Sequence, residues 1–175
     1  MTGTRRGRWW AIPVLIAAAW LYWTDGHLLP PRTIRTDAGD RVEVIDGDSL
    51  RIAGRVVRLQ AYDAPEYRQE CADARGRPWA CGQAARERLI VLADAGGLAC
   101  ADLGRDRYGR TIARCRTRDG DIGAAMVREG MGRRLRGARD DRYANEEVAA
   151  RRAGRGMWRG THEHPADWRD AQHRS

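Results

Sequence analysis

No lysine and no phenylalanine occur anywhere in these 175 residues, so the 32 basic side chains are all arginine. A bias that uniform is also what a GC-rich coding sequence produces. The net charge of +8 therefore agrees with a polyanionic partner without establishing one. Cysteine is scarce. Cys71, Cys81, Cys100 and Cys115 contain no C-x-x-C pair, which excludes the usual zinc spacings. There is no internal repeat and no low-complexity tract. No apolar run reaches the roughly 20 residues of an ordinary spanning helix. The nearest, Trp9 to Trp23, has 15.

That run is what the N-terminus does have. Arg5, Arg6 and Arg8 precede it, as in a signal segment or an anchor with its N-terminus inside. Ala17-Ala18-Ala19 offers a small-residue cleavage site, while Trp9, Trp10, Trp20, Tyr22 and Trp23 form an aromatic belt at both ends. The expectation is residues 1–24 as a hydrophobic helix outside the main domain. It is retained as a membrane anchor, or removed by cleavage after Ala19 to give a secreted protein. Either way the rest is extracytoplasmic, where cysteines pair. Residues 25–40, with Pro30-Pro31 and two glycines, read as a linker. Residues 41–170 read as one domain and 171–175 as a polar tail.

Within that domain the pattern predicts strands over 41–45, 49–52 and 55–61, with turns at Asp46-Gly47 and Gly54. Two more strands follow at 98–103 and 111–116. Helices are expected over 83–95, from an Asp121 N-cap to about Glu129, and over 143–153. Residues 67–80 read as a polar loop bracketed by Cys71 and Cys81. Cys100 and Cys115 lie at similar distances on either side of Arg107-Tyr108, so they face across a hairpin. The expected bridges are Cys71–Cys81 and Cys100–Cys115. Strands with helices interspersed give an α+β class with a small curved sheet.

The chemistry lies in Val44-Ile45-Asp46-Gly47-Asp48-Ser49-Leu50 and in Val57-Arg58-Leu59-Gln60-Ala61-Tyr62-Asp63-Ala64-Pro65-Glu66. Carboxylates are costly inside apolar runs. Paired as neighbouring strands, these segments bring Asp48, Asp63 and Glu66 to Arg58. Hard oxygen ligands, a spare carboxylate and a guanidinium suit metal-assisted attack on a phosphate. A third segment, Asp106-Arg107-Tyr108-Gly109-Arg110, places another arginine after a tight turn. A guanidinium meets two phosphate oxygens at once, which lysine does not. Arg58 and Arg110 are thus the candidate phosphate clamps.

In order and rough spacing these three segments resemble the thermonuclease family, typified by staphylococcal nuclease, from about Val42 to Arg169. The resemblance implies a five-stranded OB-type β-barrel with three helices. It implies calcium held by Asp48, Asp63 and the backbone carbonyl of Ala64. Asp46 turns the loop and supports that site, and Glu66 is the general base for the attacking water. The implied reaction is hydrolysis of DNA and RNA with little sequence preference, leaving 3′-phosphate ends. No protein partner is implied, and the chain is expected to be monomeric. The alternatives are a non-catalytic nucleic-acid-binding module on the same fold and a tethered interaction domain. Both are disfavoured because the two aspartates, two arginines and glutamate are all present.

One departure stands out. The family presents tyrosines after its second helix, whereas this chain reads Gly130-Met131-Gly132-Arg133-Arg134-Leu135-Arg136. Arginines there would bind phosphates instead of stacking on bases, with Tyr143 the nearest aromatic. Tyr108 is expected to pack into the core. His162, His164 and His173 are read as a solvated tail, and Trp158 and Trp168 as pins for the C-terminal segment.

Overall fold

The computed structural model describes residues 32–36, 41–137 and 140–174. The apolar N-terminal run, with its anchor and signal readings, lies outside the described residues.

A single curled sheet forms the frame. Its strands are β1 (Thr33–Arg35), β2 (Val42–Asp46), β3 (Ser49–Ile52), β4 (Arg55–Leu59), β8 (Ala99–Arg105) and β9 (Thr111–Thr117), with a two-residue strand, β10 (Gly120–Asp121), on β9. The order is β1-β8-β9-β4-β3-β2, and all neighbours are antiparallel except β4 and β9. Tight hairpins join β2 to β3 and β3 to β4, so register follows directly from short turns. Shorter ladders pair β5 (Tyr62–Asp63) with β11 (Arg133–Arg134), and β6 (Cys71–Ala72) with β7 (Pro78–Trp79).

Four helices accompany the sheet among the described residues: α1 (Cys81–Ala93), α2 (Ile122–Arg128), α3 (Ala144–Arg152) and α4 (Pro165–Gln172). In α1 the buried Ala85, Leu89 and Leu92 fall on one stripe. They meet Leu50, Val57 and Met126 in the core. Asp121 caps α2 by accepting a hydrogen bond from the Ala124 N–H at 3.0 Å.

Two expectations are corrected here. Five strands were expected in a closed barrel, and among the described residues the sheet has seven and curls as a half-barrel whose edges, β1 and β2, are not paired with each other. The stretch read as linker supplies β1, which covers the edge of β8 through the Thr33–Ala101 register. Three helices were expected in this domain, and the described residues hold four. The fourth carries Pro165 at its start, a favoured first-turn position, behind an N-cap supplied by His164. A histidine cap is what hid it.

The two cystines pair as the spacing predicted, Cys71–Cys81 and Cys100–Cys115. Cys100 and Cys115 stand directly opposite in the β8–β9 ladder, with Cα atoms 4.0 Å apart.

Candidate functional site

The β3–β4 register sets Ser49 across from Arg58, and the Leu59 N–H donates to the Asp48 carbonyl at 2.8 Å. Asp48 is thereby fixed beside the Arg58 guanidinium, and Arg58 Nη1 contacts Asp48 Oδ2 as an ion pair. A register shift between Val44 and Asp46 re-aims Asp46 toward the same place.

After β4 the chain reverses sharply. Ala61 takes a φ of +71°, a left-handed conformation that costs a non-glycine residue about 1–2 kcal/mol. The bend carries β5 back under β4, so Asp63 meets Arg58 Nη2 at 2.9 Å. The Tyr62 hydroxyl ties this segment to the β2–β3 turn by donating to the Gly47 carbonyl at 3.0 Å. Asp63 is 0% exposed, Asp48 5% and Arg58 9%. Such buried charges persist only when paired. Burial works against the Arg58 charge, but Asp48 and Asp63 hold its pKa above the ordinary arginine value.

Glu66 stands on the loop that follows. Gly82, early in α1, lets this loop approach closely. A Cβ at Gly82 would lie 1.7 Å from the Glu66 carbonyl oxygen. The Glu66 N–H donates to Gln69 Oε1 at 3.1 Å, and Gln69 Nε2 donates to the Glu163 carbonyl at 2.8 Å. Gln69 is fully buried. Arg169 of α4 then grips two carboxylates. Its Nη1 donates to Glu66 Oε1 at 2.5 Å and to Asp63 Oδ1 at 3.1 Å, and its Nη2 donates to Asp63 Oδ2 at 3.1 Å. Sequence reasoning missed Arg169. Its only local signal is the Pro165 that starts its helix.

These groups face a cavity of about 760 Å³, whose lining includes Asp46, Asp48, Arg58, Glu66, Arg110 and Arg169. Asp63 lies behind that surface. Arg110 reaches the cavity from the β8–β9 turn, where Asp106 binds its Nε at 2.7 Å and its backbone N–H at 2.9 Å. The structure thus gathers Asp46, Asp48, Asp63, Glu66, Arg58 and Arg110 around one site, with Ala64 buried among them. The Ala64 N–H donates to Asp48 Oδ2 at 3.2 Å.

Asp46, Asp48, Asp63 and Glu66 contribute four carboxylates, faced by the guanidiniums of Arg58, Arg110 and Arg169, of which Arg110 is also bound by Asp106. Burial, then the nearby Asp48 carboxylate, pushes the Asp46 pKa up to about 7. Burial also raises Glu66, opposed by its bonds to Arg169. Carboxylate oxygens are the hard donors that divalent cations such as calcium take. Among the described residues, no three acidic, histidine or cysteine side chains already surround one point as a cage. The Asp63 oxygens are instead taken by Arg58 and Arg169.

Other expectations are redirected. Tyr108 is 68% exposed, not in the core. Its ring lies under the guanidiniums of Arg107 and Arg110, at 4.8 and 5.5 Å, because the tight turn projects beyond the sheet. Arg134 and Arg136 are paired with Asp141 and Asp167. Tyr143 is buried, with its hydroxyl donating to Asp121 at 2.9 Å. His164 is buried as the α4 cap, and burial, then Arg133, lowers its pKa. His162 packs edge-on against Trp158 at 4.7 Å. Only His173 of the three is exposed, and it lines the cavity.

The family model described as staphylococcal nuclease homologue matches residues 56–160. Succinoglycan biosynthesis protein ExoI of Rhizobium meliloti (strain 1021) is 34% identical over 149 residues, covering 81% of this chain and 78% of the relative. A protein of Haemophilus influenzae described as an uncharacterized endonuclease is 30% identical over 135 residues, covering 73% of this chain and 70% of the relative.

Proposed function

This chain belongs to the staphylococcal nuclease family, and from that membership we propose that it is a calcium-dependent phosphodiesterase acting on DNA and RNA with little sequence preference. The similarity to an uncharacterized endonuclease supports nuclease chemistry. The single observation that carries the reading is the cavity in which Asp48, Glu66, Arg58 and Arg110 face a common space.

In this reading a phosphodiester enters between the two arginines. Arg58 offers its guanidinium from the cavity lining, with Nη1 ion-paired to Asp48 and Nη2 bonded to Asp63. A non-bridging phosphate oxygen would meet that guanidinium. Arg110, held at Nε by Asp106, keeps its outer nitrogens for the second oxygen. Both donors gain strength as charge builds on the phosphoryl oxygens, which is the condition for raising turnover. Glu66 takes a proton from the attacking water as the new oxygen–phosphorus bond forms. The bond to the 5′ oxygen breaks, that oxygen leaves with the electron pair and takes a proton from solvent to become a hydroxyl, and the 3′ side keeps the phosphate.

Asp48, Asp63 and the Ala64 carbonyl would hold the calcium ion, with Asp46 supporting them from the turn. When bound, it supplies Lewis-acid neutralisation of the phosphate. The raised Asp46 pKa, set by burial and then by Asp48, agrees with a carboxylate pair that a cation would relieve.

The test is incubation of the purified chain with linear DNA and with RNA, with calcium and with chelator, followed by end-group analysis. Cleavage of both polymers with calcium, leaving 3′-phosphates, is expected. Full cleavage in excess chelator, or 5′-phosphate products, would refute the assignment.

The same reading places the domain outside the cytoplasm. The arginine-led apolar segment supports it, as do two cystines, which oxidising compartments favour. Fractionation with N-terminal sequencing is the check. A mature start at Trp20 favours secretion over an anchor, and a full-length soluble cytoplasmic chain refutes export.

A further inference from the structure

The phosphodiesterase reading places its catalytic groups within the first three sequence segments. The structure adds a contribution from the C-terminus. Resting on that reading, we infer that Arg169 is a positioning residue, which holds the Glu66 carboxylate toward the cavity by bridging it to the buried Asp63.

Three contacts carry the inference. One guanidinium donates to Glu66 Oε1 at 2.5 Å and to both oxygens of Asp63 at 3.1 Å. Asp63 is fully buried and also bound by Arg58. It is the fixed point from which Arg169 aims Glu66. A planar fork spans two carboxylates at once, whereas an ammonium acts as a point charge.

The Glu66 backbone is held from the same segment. Its N–H bonds Gln69, and the buried Gln69 amide donates to the Glu163 carbonyl at 2.8 Å. Thus Glu163 secures the main chain of Glu66, and Arg169 secures its side chain. The placement of α4 rests on buried groups, Pro165 and the His164 cap. Its pair between Arg136 and Asp167 is exposed and is expected to contribute little.

Without Arg169, the Glu66 carboxylate would face the carboxylates of Asp48 and Asp63 with less compensation. Like charges would turn it away from the water it must deprotonate. Misplacement on that scale costs up to about 100-fold in rate. Arg169 lies beyond residue 160, where the family match ends. Its separation from Glu66 is 103 residues.

The experiment compares wild type with Arg169→Ala, Arg169→Lys and the surface control Asp167→Ala. For Arg169→Ala, kcat is expected to fall by roughly 10- to 100-fold while KM stays within about threefold. Binding of an uncleaved phosphorothioate strand, read by fluorescence anisotropy, should not change. Arg169→Lys should regain part of kcat, and Asp167→Ala should match wild type. Should Arg169→Ala fail to fold, Arg169→Lys carries the same test through a several-fold loss of kcat at unchanged KM.

Wild-type kcat in Arg169→Ala would overturn the inference. So would raised KM or weakened strand binding at constant kcat, which would make Arg169 a phosphate ligand. A wild type that cleaves no nucleic acid in any divalent ion would instead defeat the parent reading, and this inference with it.

Discussion

One wall of the cavity comes from a continuous stretch, Asp46 to Glu66, folded by two hairpins and one sharp bend. The opposite wall is assembled from the Asp106–Arg110 turn and from α4. The first wall is dry. Asp48, Arg58 and Asp63 are buried and fixed by strand register. The second is wet. Tyr108 is largely exposed, and the Arg110 and Arg169 side chains are each 36% exposed. The difference separates two costs. Removing a group from the dry wall leaves an unpaired buried charge, so both stability and chemistry suffer. Removing one from the wet wall costs chemistry at nearly constant stability.

Asp63→Ala is the sharpest way to break that contrast. It strands Arg58 and the inner face of Arg169, and losing one partner of a buried pair costs about 3–5 kcal/mol. Denaturant unfolding should register that loss, together with loss of calcium-stimulated cleavage. Asp63→Ala with wild-type stability would mean that the dry wall is less tightly coupled than its geometry implies.

Arg110→Ala tests the other side, and Glu66→Gln tests the part-exposed end of the first wall, where its side chain is 24% exposed. Each is expected to lower turnover by roughly 10²–10³-fold, the worth of one donor or base acting on the transition state. Their melting temperatures should stay near wild type, and strand binding should change far less than turnover. Turnover within a few-fold of wild type in either variant would remove that residue from its assigned role.

Gly82→Ala tests the seam between the walls. The added Cβ would collide with the Glu66 carbonyl, so the loop must shift. Overpacking of this kind costs about 1–3 kcal/mol. A loss of stability with a parallel loss of kcat is expected, measured by thermal unfolding and steady-state cleavage.

The smallest effect is on pH dependence. Asp46 titrates near 7 in the folded protein, above its unfolded value of 3.8. A raised carboxylate pKa favours folding below the unfolded value, and that contribution is lost as pH rises through the folded one. The metal-free protein should therefore lose stability between about pH 4 and pH 7, through this group and the raised Glu66. Asp46→Asn should flatten the decline, and calcium should reverse it by favouring the ionised form. Thermal melts across that range, with and without calcium, are the check.

Much of the dry wall was legible in the sequence. Asp48, Arg58, Asp63 and Glu66 lie close together, and alternation with a Gly47 turn sets which strands pair. The cystines followed from position alone. Less legible were features with no local period. The extra strand at Thr33–Arg35 has three residues and exists because the β8 edge is open to it. Helix α4 hides behind a histidine cap in a polar stretch. Arg169 is one arginine among many, and nothing near it in sequence points to Glu66. Tyr108 was read inward because tyrosines are usually packed, yet a tight turn leaves nothing above it to pack against.

The most direct test of the account is cleavage of an end-labelled DNA strand by wild type and Glu66→Gln, each with calcium and with excess chelator, with products identified by mass. The account predicts 3′-phosphate fragments from wild type with calcium, none with chelator, and roughly 10²–10³-fold slower release of the same fragments by Glu66→Gln. Equal rates for the two proteins, or undiminished cleavage in chelator, would contradict it.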